Sequence, residues 1–162
     1  MRNGMDSDPS SRLRHVLVAT DLSEQGNRAV AHAYSLLDRG GAVTLVHVVE
    51  PDEPPNPLYA HYTPGRATTP EERARLGAEL AEKLRALVPH EAQARGIETR
   101  VAVIQEPGVP AAIRAAAERA GAQVICVGTH GRSGLSAALT GSVAQAVLKR
   151  SPIPVLLVGP ER

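Results

Sequence analysis

The sequence predicts an α/β protein in which a parallel sheet of about five strands carries helices on both faces. Three observations lead there. Short runs rich in Val, Ile and Leu recur without polar alternation, the pattern of strands covered on both sides. Segments with helical spacing lie between them, and strand-helix alternation gives a doubly wound sheet. The chain has 162 residues, the size of one ordinary domain.

The first strand is His15 to Ala19. From Glu24 to Leu37 the apolar Ala29, Val30, Ala33, Leu36 and Leu37 fall on one helical face, and Gly40-Gly41 stops that helix. The second strand is Val43 to Val49. The section from Pro51 to Thr69 holds Pro51, Pro54, Pro55, Pro57 and Pro64, too many for a regular element, in a loop far longer than usual connections. Thr69 as N-cap, Pro70 at the first helical position and Glu72 three residues past the cap form a capping box. Leu76, Leu80, Leu84, Leu87 and Val88 continue that helix towards Pro89. Thr99 to Ile104 is a weaker strand whose partial alternation suits a place near an edge, followed by a helix from Pro110 to Ala120. Val124 to Val127 and Pro154 to Val158 are the last strands. Between them a helix is expected from about Ala138 to Lys149, with Lys149-Arg150 favourable at its C-terminus.

Residues 1–13 read as a flexible tail, and 14–162 as a single domain with a Pro-rich loop at about 50–69. The tail has no apolar run that would make it a signal peptide, so a cytoplasmic protein is expected. Net charge is +1, with 18 basic and 17 acidic residues dispersed along the chain. No footprint for a nucleic acid or an anionic membrane appears, and neither is expected as a partner. Aromatic residues make up 2% of the chain, with no Phe or Trp, which argues against base stacking on aromatic side chains. The single cysteine, Cys126, lies in an apolar strand and reads as a buried hydrophobe. Its six histidines show no zinc spacing.

In an open parallel sheet the ligand crevice lies beyond the carboxyl ends of the strands, where the winding changes direction. Thr20-Asp21, Val48 to Glu50, and Gly128-Thr129-His130-Gly131-Arg132-Ser133-Gly134 occupy those ends. A glycine-rich turn leading into a helix exposes successive N–H groups to an anion. The full pattern is Gly128-x2-Gly131-x9-Gly141-Ser142, which is neither a P-loop nor the usual dinucleotide fingerprint. Three glycines and a serine at this strand-loop-helix position favour an anion site over glycines that merely shape turns.

That glycine pattern, set between Val124 to Val127 and Val143 to Lys149, resembles the nucleotide-binding signature of the universal stress protein family. Val16 to Glu24 resembles the family's first strand and turn, Leu45 to Val48 its second strand, and Gly108-x-Pro110-x-x-Ile113 the start of its third helix. The resemblance runs from about Arg14 to Val158. It implies an adenine-nucleotide-binding, Rossmann-like fold, ATP as ligand with Mg²⁺, and a homodimer paired through Pro154 to Val158. Carried over, Ala19, Thr20 and Asp21 face the nucleotide, with Asp21 near Mg²⁺, and backbone near Val48 meets the adenine. Gly128, Gly131, Gly141 and Ser142 hold ribose and phosphates, and His130 and Val143 line the site. Apart from the resemblance, Arg132 by its charge and Ser133 by its hydroxyl suit terminal phosphate oxygens. The Pro-rich segment and Glu106-Pro107 have no counterpart in the family's pattern.

Several residues keep a second reading. Asp21 also suits the cap of the helix that follows it, His130 a turn position, and Arg132 a solvated loop. His47, inside an apolar run, reads as a hydrogen-bonded core histidine. Three functions compete: a nucleotide-dependent regulatory module of the stress response, a slow Mg²⁺-dependent ATPase, and a structural dimerisation domain indifferent to nucleotide. Lys83 and Lys149 are the chain's two lysines and neither lies in the glycine loop, so efficient phosphoryl transfer is not expected.

Overall fold

The computed structural model describes residues 12–50, 69–129 and 141–160. Apolar strands with no polar face must be covered on both sides, and the chain does this by alternating them with helices. The order is β1 (His15–Ala19), α1 (Glu24–Ser35), β2 (Ala42–Val49), α2 (Pro70–Arg85), α3 (Glu91–Ala94), β3 (Glu98–Gln105), α4 (Val109–Ala120), β4 (Val124–Gly128), α5 (Ser142–Arg150) and β5 (Val155–Val158). The strands form one sheet in the order β3-β2-β1-β4-β5. Every pairing is parallel. The weaker strand expected at Thr99 to Ile104 is the edge strand β3.

Two apolar cores sandwich the sheet. On one face Val16, Val18, Val43 and Leu45 pack with Ala29, Val30, Ala33 and Tyr34 of α1 and with Leu76, Leu80 and Leu84 of α2. On the other, Leu17, Val46, Val48, Ile125 and Val127 pack with Ala112, Ile113, Ala116 and Ala117 of α4 and with Ala144 and Val147 of α5. Burying each large aliphatic side chain contributes about 1.5–3 kcal/mol, so the strand interiors dominate the stability. Cys126 is buried in the first core, and burial pushes its thiol up to about 12, which keeps it protonated and unreactive. Tyr34 is also buried, and its hydroxyl meets Thr99 Oγ1 at 2.7 Å.

Helix ends follow local chemistry. The capping box at Thr69 is complete: Thr69 Oγ1 accepts from the Glu72 N–H at 3.2 Å, and Glu72 Oε2 accepts from the Thr69 N–H at 2.9 Å. The helix expected from about Ala138 starts instead at Ser142, because Gly141 has φ −54° and ψ 148°, an extended conformation that stops the helix there. Residues 138–140 lie outside the described residues. The four-residue α3 was not foreseen, being too short to show a period. Among the described residues, no helix is long and apolar enough to cross a membrane.

Candidate functional site

The winding runs outward from β1 through β2 to β3, then returns to place β4 and β5 on the other side of β1. The switch of direction falls between β1 and β4, so the crevice opens between their carboxyl ends. Ala19, Thr20 and Asp21 stand at one lip and Gly128 and Thr129 at the other.

The β1 lip is tightly hydrogen-bonded. Thr20 Oγ1 donates to Asn27 Oδ1 at 2.8 Å and accepts from the Leu22 N–H at 3.0 Å. Asp21 Oδ1 accepts from the Ser23 N–H at 3.0 Å and from its hydroxyl at 2.5 Å. Ser23 is the N-cap of α1, its Oγ accepting from the Gly26 N–H at 3.0 Å. Asp21 therefore does brace the helix start, and it does so through one carboxylate oxygen while remaining partly exposed at the lip. Leu22 has φ +65°, the left-handed region where a side chain is strained by roughly 1–2 kcal/mol, so the turn is held open by its surroundings.

Val48 belongs to the same lip through its backbone. The β1–β2 pairing ends at Ala19↔Val46, and its last rung runs from the Thr20 N–H to the Val46 carbonyl at 3.0 Å. Successive residues of a strand bond to alternate neighbours, so Val48, two beyond Val46, also turns its N–H and C=O towards the β1 side. Among the described residues no rung follows, and that peptide edge looks into the crevice beyond the end of β1. The Val48 side chain is buried on the α4/α5 face.

At the other lip Gly128 pairs with Val158, and the Thr129 N–H donates to the Val158 carbonyl at 2.9 Å. The Thr129 carbonyl accepts from the Gly141 N–H at 2.5 Å, so the end of β4 and the start of α5 are held together directly. A Cβ on Gly141 would lie 3.1 Å from that carbonyl oxygen, a tight contact that would need the Thr129 carbonyl to give by a few tenths of an ångström. Among the described residues no side chain caps the start of α5. Its first-turn N–H groups and dipole thus present a partly positive end beside Ser142 and Val143, both exposed. His130, Gly131 and Arg132 lie outside the described residues.

The fold thus gathers Ala19, Thr20, Asp21, Val48, Gly128, Gly141, Ser142 and Val143 at the carboxyl end of the sheet. Sequence reasoning missed two supports of this end. A Cβ on Gly26 would lie 2.3 Å from Asp21 Oδ1, so the missing side chain is what admits the carboxylate. Glu50 Oε1 accepts from the N–H groups of Gly108 at 2.7 Å and Val109 at 3.3 Å, capping α4 from the end of β2. Gly108, at φ +80°, has no side chain to cap its own helix, and that glycine was the one available signal. Among the described residues no three His, Cys, Asp or Glu side chains gather as a metal cage.

An open, all-parallel α/β sheet with helices on both faces and a switch point between β1 and β4 defines a fold of the doubly wound class. Within that class the chain belongs to the universal stress protein family, whose sequence profile matches residues 12–159. The Thermus aquaticus "universal stress protein in QAH/OAS sulfhydrylase 3'region" is 33% identical over 147 residues, covering 88% of this chain and 96% of that relative. The solved structure of hypothetical protein MJ0577 aligns with a TM-score of 0.72 at 25% identity, over 93% of this chain and 99% of its own. The universal stress protein from Archaeoglobus fulgidus in complex with dAMP aligns with a TM-score of 0.53 at 21% identity, over 90% and 96%, a likeness of fold.

Proposed function

We propose that this protein binds an adenine nucleotide, ATP with Mg²⁺ foremost, between the carboxyl ends of β1 and β4, and that it acts as a nucleotide-dependent regulatory module of the stress response. The observation that carries this reading is the Val48 peptide edge, whose N–H and C=O face the crevice side by side past the last rung to β1. Adenine offers a ring-nitrogen acceptor beside its amino donor, the complementary pair. Across the crevice the start of α5, with Gly141 and Ser142 and no side-chain cap among the described residues, suits phosphate oxygens. The dAMP held by the Archaeoglobus fulgidus protein supports the ligand class. Ala19, Thr20, Gly128 and Val143, with His130, Gly131 and Arg132, complete the proposed contacts.

Mg²⁺ fits as an ion carried on the phosphates with Asp21 as the one carboxylate proposed for it, since among the described residues no cage of His, Cys, Asp or Glu gathers. When bound it neutralises phosphate charge beside that carboxylate. Asp21 keeps its turn through Oδ1 and supplies charge at the lip. Binding is favoured over turnover. Lys83 lies on α2, and Lys149 sits in the last turn of α5, away from the helix start where phosphate is proposed. A homodimer paired through β5 completes the proposal.

The test is calorimetric titration of nucleotide-stripped protein with ATP and dAMP, with and without Mg²⁺, beside a Ser142→Glu variant. Ser142 is exposed at the first position of α5, where a carboxylate suits the helix but occupies the anion position. One nucleotide per chain is expected, with affinity about tenfold weaker in the variant and an unchanged melting midpoint. No binding by calorimetry and by a displacement assay would leave the structural dimer as the function.

A further inference from the structure

Two of the proposed ligand groups, Asp21 and the Val48 peptide, flank one buried side chain that meets the β1 lip from within the core. His47 is 2% exposed and shares a face of β2 with Val43, Leu45 and Val49, which join the α1/α2 core. Its Nδ1 lies 2.8 Å from the Thr20 carbonyl oxygen. A carbonyl only accepts, so Nδ1 carries the proton of this bond. We infer that His47 is a positioning residue for the nucleotide site: it takes the Thr20 carbonyl, ends the β1–β2 ladder at that residue, and so leaves the Val48 peptide edge to the ligand. This rests on the proposed function, since it assigns how that same site is held.

The register supplies the argument. After the Thr20 N–H donates to the Val46 carbonyl, the next rung of a parallel ladder would run from the Val48 N–H to the Thr20 carbonyl. That carbonyl is the one His47 engages. With its N–H on Val46, its C=O on His47 and its hydroxyl on Asn27 and Leu22, Thr20 is fixed in every polar group. The peptide leading into Asp21 inherits that orientation. A histidine that merely satisfied the core would contribute stability and nothing at the lip, and the two roles separate on readouts that stability does not move.

The experiment joins amide hydrogen exchange with nucleotide affinity. In nucleotide-free wild-type protein the Val48 amide is expected to exchange about a hundredfold faster than that of Val46, and to become protected on adding ATP or dAMP. His47→Leu fills the volume without a donor. It is expected to let Thr20 accept from Val48, slowing exchange there, and to weaken nucleotide binding about tenfold. His47→Asn, whose amide N–H approximates the position of Nδ1, is expected to restore both. Protection of Val48 equal to that of Val46 before nucleotide is added, or wild-type affinity in folded His47→Leu, would overturn the inference while leaving the function standing. Fast exchange at Val48 in a wild-type protein that binds no nucleotide would overturn the proposed function and leave the ladder-ending role of His47 supported. The wild-type exchange measurement requires no variant to fold.

Discussion

Gly26 and Asp21 are fitted to each other: the carboxylate of Asp21 occupies the space where a side chain at position 26 would begin, 2.3 Å from an ideal Cβ. The same carboxylate oxygen holds the backbone and hydroxyl of Ser23, so the helix start, the turn and the acidic group at the lip form one unit. Gly26→Ala sets two effects against each other. Alanine favours the helix by about 1 kcal/mol. Displacing Asp21 from Ser23 costs about 1.5–3 kcal/mol, because one partner is charged. The bond outweighs the propensity, and a net loss of about 1 kcal/mol is expected in urea unfolding, together with a changed Mg²⁺ dependence of ATP binding. Stabilisation by the full helix-propensity increment, with Mg²⁺ dependence intact, would show that Asp21 is not held by this contact.

Arg95 gathers the end of α1. Its guanidinium donates to the carbonyls of Tyr34 at 3.0 Å, Asp38 at 3.1 Å and Leu37, in the last turn of α1 and just beyond its end, where positive charge also suits the helix C-terminus. Arg95→Ala is expected to cost about 2 kcal/mol in urea unfolding, in the range of charged hydrogen bonds. Arg95→Lys is expected to recover only part of this, since a point charge cannot span three carbonyls. Full recovery by lysine would reduce the role of Arg95 to charge near the helix end.

These contacts explain what could and could not be read in advance. Strands such as Val43 to Val49 were legible because a covered parallel strand writes its burial into every residue, and Thr69 to Glu72 because a capping box closes within four residues. Glu50 with Gly108, separated by 58 positions, and His47 with Thr20, separated by 27, meet only once the sheet order is known. The start of α5 was placed too early because the residues before Gly141 have helical composition, and the bond from its N–H to Thr129 is tertiary. Glycines pointed to the proposed site, while the groups proposed to shape it, the Val48 edge among them, follow from strand register.

His15 provides a pH test of the opposite end of the sheet. Burial, and then the Arg100 guanidinium beside it, hold the imidazole below its ordinary value, and its Nε2 meets Thr44 Oγ1 at 2.8 Å. A histidine depressed in the folded protein is protonated more readily in the unfolded chain. Its stabilising contribution is therefore present above the unfolded value, and is lost as pH falls through the window down to the folded one. Melting midpoints from pH 8 to pH 5 are expected to fall more steeply in wild type than in His15→Gln, about as far as an acidification across the normal histidine range extends. Parallel profiles would place the titration outside the fold.

The two edges of the sheet differ in protection, and the difference bears on the proposed homodimer. Strand β3 carries the exposed Glu98–Arg100 ion pair, a charge pattern that discourages edge pairing. Strand β5 is Val155-Leu156-Leu157-Val158, without a charge, and its first three residues are only partly buried. The bonds from Ile125 N–H to the Pro154 carbonyl and from Thr129 N–H to the Val158 carbonyl turn residues 154, 156 and 158 towards β4. By alternation Val155 and Leu157 point their N–H and C=O outward. Leu157→Pro therefore removes an outward donor and leaves the ladder to β4 whole, whereas Leu156→Pro breaks that ladder. Light scattering is expected to give a dimer for wild type and a folded monomer for Leu157→Pro, with Leu156→Pro losing thermal stability. A Leu157→Pro protein that remains a dimer would move the interface away from the β5 edge.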